Sequence, residues 1–294
     1  MSYFRKSSLV ATMILGLVAA QFAACSGGGA GSDVRTGGSN SGSGAGSGDG
    51  TSGGPGSTGA CGLTQASGVP TAGPAEGAWT GAFPIFSGVD LVFGNGVVTA
   101  EGKAVFNVGN SELWVGTVLA TEDGAVASDL TLYKRPSSGG AGGLKSPGDP
   151  TPEALVFDHA KARTALSGAY QGPLSNCQDV RLGYDDVYEQ AASLQEIAGV
   201  YTSAAGDDYT LTVTVHDDGQ LDGSDTRGCV LMGDVSVPDA TKNVYRAVAD
   251  SSSCGDLDGH YDGPLSLRYS AGRLSWLDLA LTAPDKAIFY RLSR

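Results

Sequence analysis

Beyond residue 76 the chain is a succession of short apolar or alternating runs, each closed by residues that favour turns. The first series covers residues 78–83, 89–93, 97–100, 103–108, 112–120, 129–134, 154–158 and 166–170. A second covers 198–203, 209–216, 229–237, 244–248, 261–270, 273–282 and 287–292. Tyr209, Leu211, Val213 and Val215 fall on one face of an extended segment and the intervening threonines on the other, the period of a half-buried strand. Gly94-Asn95-Gly96, Gly109-Asn110, Asp123-Gly124, Asp217-Asp218-Gly219 and Ser270-Ala271-Gly272 supply the residues that tight hairpins need. Residues 137–152, rich in Gly and Pro, read as a long loop. Helical periodicity is nearly absent. The exception is Ser193 with Glu196, a capping box that predicts one or two helical turns before the second series.

Strands at this spacing predict an all-β chain made of two antiparallel barrel or sandwich domains. The two series open alike, with Gly77-Ala78-Trp79-Thr80-Gly81 in the first and Gly199-Val200-Tyr201-Thr202 in the second, which suggests related domains at 75–189 and 190–294. Residues 26–74 are dominated by Gly, Ser, Ala and Thr and cannot bury enough surface to offset the entropy of ordering. They read as a flexible tether about 40 Å long on average. Within it, Gly48 to Gly53 satisfies GxGxxG and Gly50 to Gly54 satisfies GxSxG. Neither lies between a strand and a helix, so both are products of composition.

The N-terminus adds an address. Arg5 and Lys6 precede an apolar run over residues 9–20, followed by Phe22-Ala23-Ala24-Cys25. This order is that of a secretory signal, and the apolar run is short of the roughly 20 residues of a membrane span. Small residues before a cysteine resemble the lipobox of bacterial lipoproteins, with Phe22 where that family most often has Leu. The resemblance implies cleavage after residue 24, acylation of Cys25 and a lipid anchor in the membrane. Ser26 in place of aspartate implies, by the same resemblance, sorting to the outer membrane, facing the periplasm or the cell surface. A plain secretory signal and a retained anchor helix are the competing readings.

Net charge is −13 over 294 residues, near −15 once Arg5 and Lys6 are removed, and no Lys/Arg cluster occurs beyond them. Nucleic acid is therefore excluded as a partner. Apart from Cys25, the cysteines are Cys61, Cys177, Cys229 and Cys254, an even set that suggests disulfides in an exported chain. Three pairings are possible. Cys229–Cys254 is preferred because both lie in one domain, which leaves Cys61–Cys177. No CxxC occurs to suggest a zinc ribbon.

Catalytic signals are sparse. His159, His216 and His260 have no metal-binding spacing. Asp256, Asp258 and Asp262 superficially resemble a calcium loop, and Asp217, Asp218, Asp222 and Asp225 form a second acidic run. Neither run has the ligand positions of an EF-hand, and turn geometry explains both. Trp79, Trp114 and Trp276 suit core packing, or the lining of a barrel cavity. The runs 184–188, 193–194 and 198–202, with Gly228-Cys229 and Asn243-Val244-Tyr245, resemble proteobacterial lipoproteins that carry a Gly/Ser tether and two all-β, lipocalin-like or sandwich domains. The resemblance implies fold and address and no particular activity. The expectation is a membrane-anchored envelope lipoprotein acting as a binding or structural module without a cofactor or catalytic activity, its partner an envelope or extracellular protein, a glycan or a small apolar ligand. A lipocalin-like carrier is the main alternative and an envelope hydrolase the third.

Overall fold

A computed structural model describes residues 60–63, 68–69, 71–85, 90–109, 112–134, 143–145, 153–171, 177–204, 210–270 and 273–294. The signal, Cys25 and most of the tether lie outside them. The chain from Gly53 to Arg294 forms one compact unit. Within it, two eight-stranded, nearly closed barrel-like sheets are built from antiparallel neighbours.

The first barrel contains β1 (Gly77–Ile85), β2 (Asp90–Val98), β3 (Lys103–Val108), β4 (Glu112–Ala120) and β5 (Val126–Lys134). After β6 (Gly143–Lys145) it continues with β7 (Ala154–Lys161), β8 (Ala165–Gln171) and β9 (Cys177–Asp185), and β9 pairs back onto β1. Its seam lies between β5 and β7. There Ala125 bridges His159, and the Ala160 amide donates to the Gly124 carbonyl at 2.7 Å. One helical turn, α1 (Leu194–Ile197), leads into the second barrel, and its Ser193 cap accepts from the Glu196 amide as the capping box predicts.

The second barrel runs β10 (Gly199–Ala204), β11 (Thr210–Val215), β12 (Gln220–Asp225), β13 (Val230–Ser236), β14 (Tyr245–Ser252), β15 (Gly259–Ser270), β16 (Arg273–Ala283) and β17 (Lys286–Leu292). Its seam is closed by reciprocal bonds between Thr202 and Ser293, at 2.7 and 2.8 Å. Next-neighbour pairing around each sheet leaves few exposed edges.

The start of each barrel uses one device. Trp79 Nε1–H donates to the Ala75 carbonyl four residues back at 2.9 Å, and the Tyr201 hydroxyl donates to the Ile197 carbonyl at 2.8 Å. Each ring thereby ties a short helical segment across its barrel end. The glycine two residues earlier has positive φ in both, 148° at Gly77 and 155° at Gly199. A Cβ at Gly77 would lie 2.4 Å from the Tyr184 ring, and one at Gly199 would lie 2.7 Å from the Arg294 guanidinium. The Arg294 guanidinium sits over Tyr201, and the Tyr184 ring meets Trp79 edge-on. The resemblance between the two openings in sequence is thus a resemblance in structure.

The structure corrects the reading at three places. Gly94-Asn95-Gly96 is not a hairpin turn but lies inside β2, opposite Gly81, Thr80 and Trp79. Gly94 and Gly96 face inward because a Cβ there would lie 2.4 Å from the Phe83 ring and 2.2 Å from the Phe106 ring, respectively. The turn falls at residues 99–102, where Gly102 has φ 79°. Strands β9 and β12 were not anticipated. Each carries few apolar residues, Val180, Leu182 and Tyr184 in β9 and Leu221 alone in β12. The loop over 137–152 contains the short strand β6, which pairs with β17 and touches β5.

The barrels pack flank to flank. Val105, Leu113 and Tyr133 on the outer face of the first meet Ala280, Ala287 and Phe289 on the second, and the Tyr133 hydroxyl donates to the Ala283 carbonyl. Beside them, Ala78 and Val97 meet Val187, Tyr188 and Val244.

Candidate functional site

A groove of about 820 Å³ opens along this junction, within the usual size range of ligand sites. One wall comes from the first barrel, with Thr80, Phe93, Asn95, Tyr184 and Asp185. The other comes from the second, with Arg268, Tyr269, Trp276 and Arg291. Phe93 follows from the β2 alternation. With Gly94 and Gly96 turned inward, Phe93 and Asn95 must face out, and Phe93 is 68% exposed. Arg268 and Tyr269 are consecutive yet both reach the groove, because a register shift between them interrupts the β15–β16 ladder.

The charged groups of the groove are held in place. Arg268 donates to Asp185 across the junction at 2.7 Å. Asp278 accepts from Arg291 through both oxygens at 2.9 and 3.2 Å, and from the Asn95 amide at 3.1 Å. Arg291 also donates to the Asn95 amide oxygen and lies 5.2 Å from the Trp276 ring centroid. Asp278 and Arg268 are buried, at 5% and 7% exposure. Buried charges persist only when paired in this way, and breaking one pair strands its partner. The phenols of Tyr184 and Tyr269 donate to Glu189 and Glu196. Burial, reinforced by those carboxylates, raises both phenols well above their ordinary values, so both stay neutral at physiological pH. The polar groups of the groove are therefore preorganised.

A second cleft of about 750 Å³ also lies between the barrels. Asp262 accepts from Arg246 through both oxygens at 2.8 Å and lies 3.8 Å from Lys103 of the other barrel. The Arg246 bonds hold the Asp262 carboxyl below its usual value.

A third polar cluster sits inside the first barrel. Glu112 is 7% exposed and the Glu153 side chain 1%. Lys134 pairs with Glu153 and lies 3.8 Å from Glu112. Burial raises the Glu112 carboxyl, Lys134 opposes that, and Glu153 adds to it. Glu112 Oε2, Trp114 Nε1 and the Tyr170 hydroxyl are buried, and among the described residues the Tyr170 hydroxyl has no hydrogen-bond partner. Lys134 is the member of the cluster that reaches solvent, with its side chain 30% exposed.

The residues singled out in sequence are distributed as follows. Cys25 lies outside the described residues. The disulfides are Cys61–Cys177 and Cys229–Cys254, with Cα separations of 5.6 and 4.4 Å. Asp256, Asp258 and Asp262 do not converge. Asp258 accepts from the Cys254 amide, Asp262 is held by Arg246, and the Asp256 carbonyl accepts from Lys286. Among the described residues, no group of three His, Cys, Asp or Glu side chains is placed to hold a metal. In the other acidic run, Asp218 and Asp225 accept backbone amides in turns, and Asp222 pairs with His216 at 2.8 Å. His260 pairs with Asp250 at 2.8 Å, and both are exposed.

Trp79 and Trp114 pack inside the first barrel, whereas Trp276 is in the groove. Sequence reading missed Phe93, Arg268, Asp278 and Arg291. One signal was available for Asp278: a carboxylate set inside the apolar run from Trp276 to Leu281. No helix among the described residues is long and apolar enough to cross a membrane. Comparison of the chain with protein-family models, with curated proteins and with solved structures gave no match.

Proposed function

We propose that the protein is a lipid-anchored envelope module that binds its ligand in the groove between the two barrels and performs no chemistry on it. The observation that carries this reading is the groove itself. Its aromatic and charged walls come from both barrels, and its ion pairs are fixed before any ligand arrives. Such a surface loses little side-chain entropy on binding, and exposed Phe93 at its rim gains contact area when covered. The address rests on Cys25 and its flanking residues, and the two disulfides suit an oxidising compartment.

The carrier reading is weakened by the interiors. Trp79, Phe83, Phe106, Trp114, Phe157 and Tyr170 fill the first barrel, and a leucine-rich core fills the second. The anchor is tested with the full chain, comparing wild type with Cys25→Ser. Palmitate labelling and recovery in the membrane fraction should both be lost in the variant. Membrane recovery that survives the change would remove the anchor from the proposal.

A further inference from the structure

The chemistry of the groove specifies a class of ligand. Its four principal charges cancel in pairs, Arg268 with Asp185 and Arg291 with Asp278, and Asp186 adds a further negative group at the wall. In a chain of net charge −13, this leaves no electrostatic attraction for polyanions such as nucleic acid or sulfated polymers. A peptide added as an extra strand would need an open sheet edge. The strands bordering the groove, β1, β2, β15 and β16, are paired on both sides. What the groove offers is rings, at Phe93 and Trp276, interleaved with planar amides and carboxylates at Asn95, Asp185 and Gln190. The negative face of an aromatic ring attracts weakly positive C–H groups, and planar amides and carboxylates pair with neighbouring hydroxyls.

We propose that the groove binds a neutral glycan chain, whose C–H faces stack on Phe93 and Trp276 while its hydroxyl edges bond to the planar polar groups. This rests on the groove being the binding site. Trp79 and Trp114 are sealed within the first barrel, so Trp276 is the tryptophan positioned to report occupancy by fluorescence.

The test titrates the mature chain, with Cys25→Ser for solubility, against cellohexaose, maltohexaose and chitohexaose. A uronic-acid hexasaccharide and a mixed octapeptide library are run alongside, and calorimetry checks each fluorescence change. At least one neutral hexasaccharide should bind saturably. Phe93→Ala should weaken that binding about tenfold, the worth of one aromatic contact. Phe93 is exposed, so the variant should keep its fold, checked by circular dichroism. Absence of saturable binding by all three sugars, or tighter binding of the uronic-acid chain, overturns the glycan assignment. Phe93-dependent binding of the peptides alone overturns it too, yet keeps the groove as a site. Sugar binding that is equal in wild type and Phe93→Ala places the sugar elsewhere and overturns the groove itself.

Discussion

Trp79 and Tyr201 occupy the same place in their respective barrels, each tying a helical carbonyl four residues back across the barrel end. Beyond them the interiors diverge. The first barrel is filled by large rings, Trp114, Phe83, Phe106 and Phe157, of which Phe83 and Phe106 are accommodated by inward glycines in β2. The second is filled by leucines, among them Leu265, Leu267, Leu277 and Leu279, with Ala247 and Ala249 between them. Tyr201 and Tyr261 in the second barrel both donate to main-chain carbonyls, while Tyr170 in the first has no partner among the described residues. The shared element is the anchored end and the closed ladder. The interior needs only to be filled, and the first barrel fills itself at the cost of an unpaired phenol and a buried carboxyl.

The shared anchor is where the largest effects are expected. Trp79→Ala and Tyr201→Ala should each cost about 3–5 kcal/mol, the usual range for removing a buried large ring. Tyr201→Phe keeps the ring and loses only its hydrogen bond, and should cost about 1 kcal/mol. Urea midpoints followed by circular dichroism measure all three. If Tyr201→Phe were as damaging as Tyr201→Ala, the hydroxyl rather than the ring would be the anchor, and the equivalence with Trp79 would need a different basis.

The packing contrast can be broken within one barrel by two glycines. A Cβ at Gly96 would lie 2.2 Å from the Phe106 ring and 2.5 Å from the Val105 carbonyl oxygen. At Gly183 the nearest atom, the Thr80 carbonyl oxygen, is 3.8 Å away. Gly96→Ala should therefore destabilise by about 1–3 kcal/mol. Gly183→Ala should fall within about 1 kcal/mol of wild type and can stabilise. Equal midpoints for the two variants would show that β2 yields at Gly96 and that the rings of the first barrel are loosely held.

The same glycines show what the sequence makes legible. Strand period, turn residues and the capping box place most elements correctly, because each reports a local preference that tertiary packing agrees with. Gly94-Asn95-Gly96 misleads because a glycine that admits a tight turn also admits a ring across the sheet, and only the position of Phe83 and Phe106 decides between them. Strand β12 escapes notice because inward Gly223 replaces a second apolar residue and a single leucine makes no period. Of the groove, Trp276 was visible as a residue but not as a surface. Arg268, Asp278 and Arg291 meet Asp185 and Asn95 only through strand pairing and the packing of one barrel on the other, which no short-range pattern encodes. The disulfide pairing was legible because four cysteines allow few choices.

Glu112 sharpens the polar contrast, with a smaller effect. Its carboxyl is raised above 4.5 chiefly by burial, so the folded chain holds that proton more tightly than the unfolded chain does. Between the unfolded value and the raised folded value, stability contributed by this group falls as pH rises. Other groups work in the opposite direction. Hydrogen bonds from Lys242 lower Glu189 and those from Arg246 lower Asp262, so their contributions are lost as pH falls below the usual carboxylate range. The difference between wild type and Glu112→Gln isolates Glu112 from that background. The variant should be as stable as wild type or slightly less so near pH 4, and should gain relative to it as pH rises, by about 1.4 kcal/mol for each unit by which the carboxyl is raised. Lys134 retains Glu153 as its partner in the variant, so no lysine charge is stranded. Midpoints measured every half unit from pH 4 to pH 8 give the curve. A difference that stays flat across this range would mean that Glu112 is ionised throughout, and the first barrel would then carry no electrostatic cost that the second avoids.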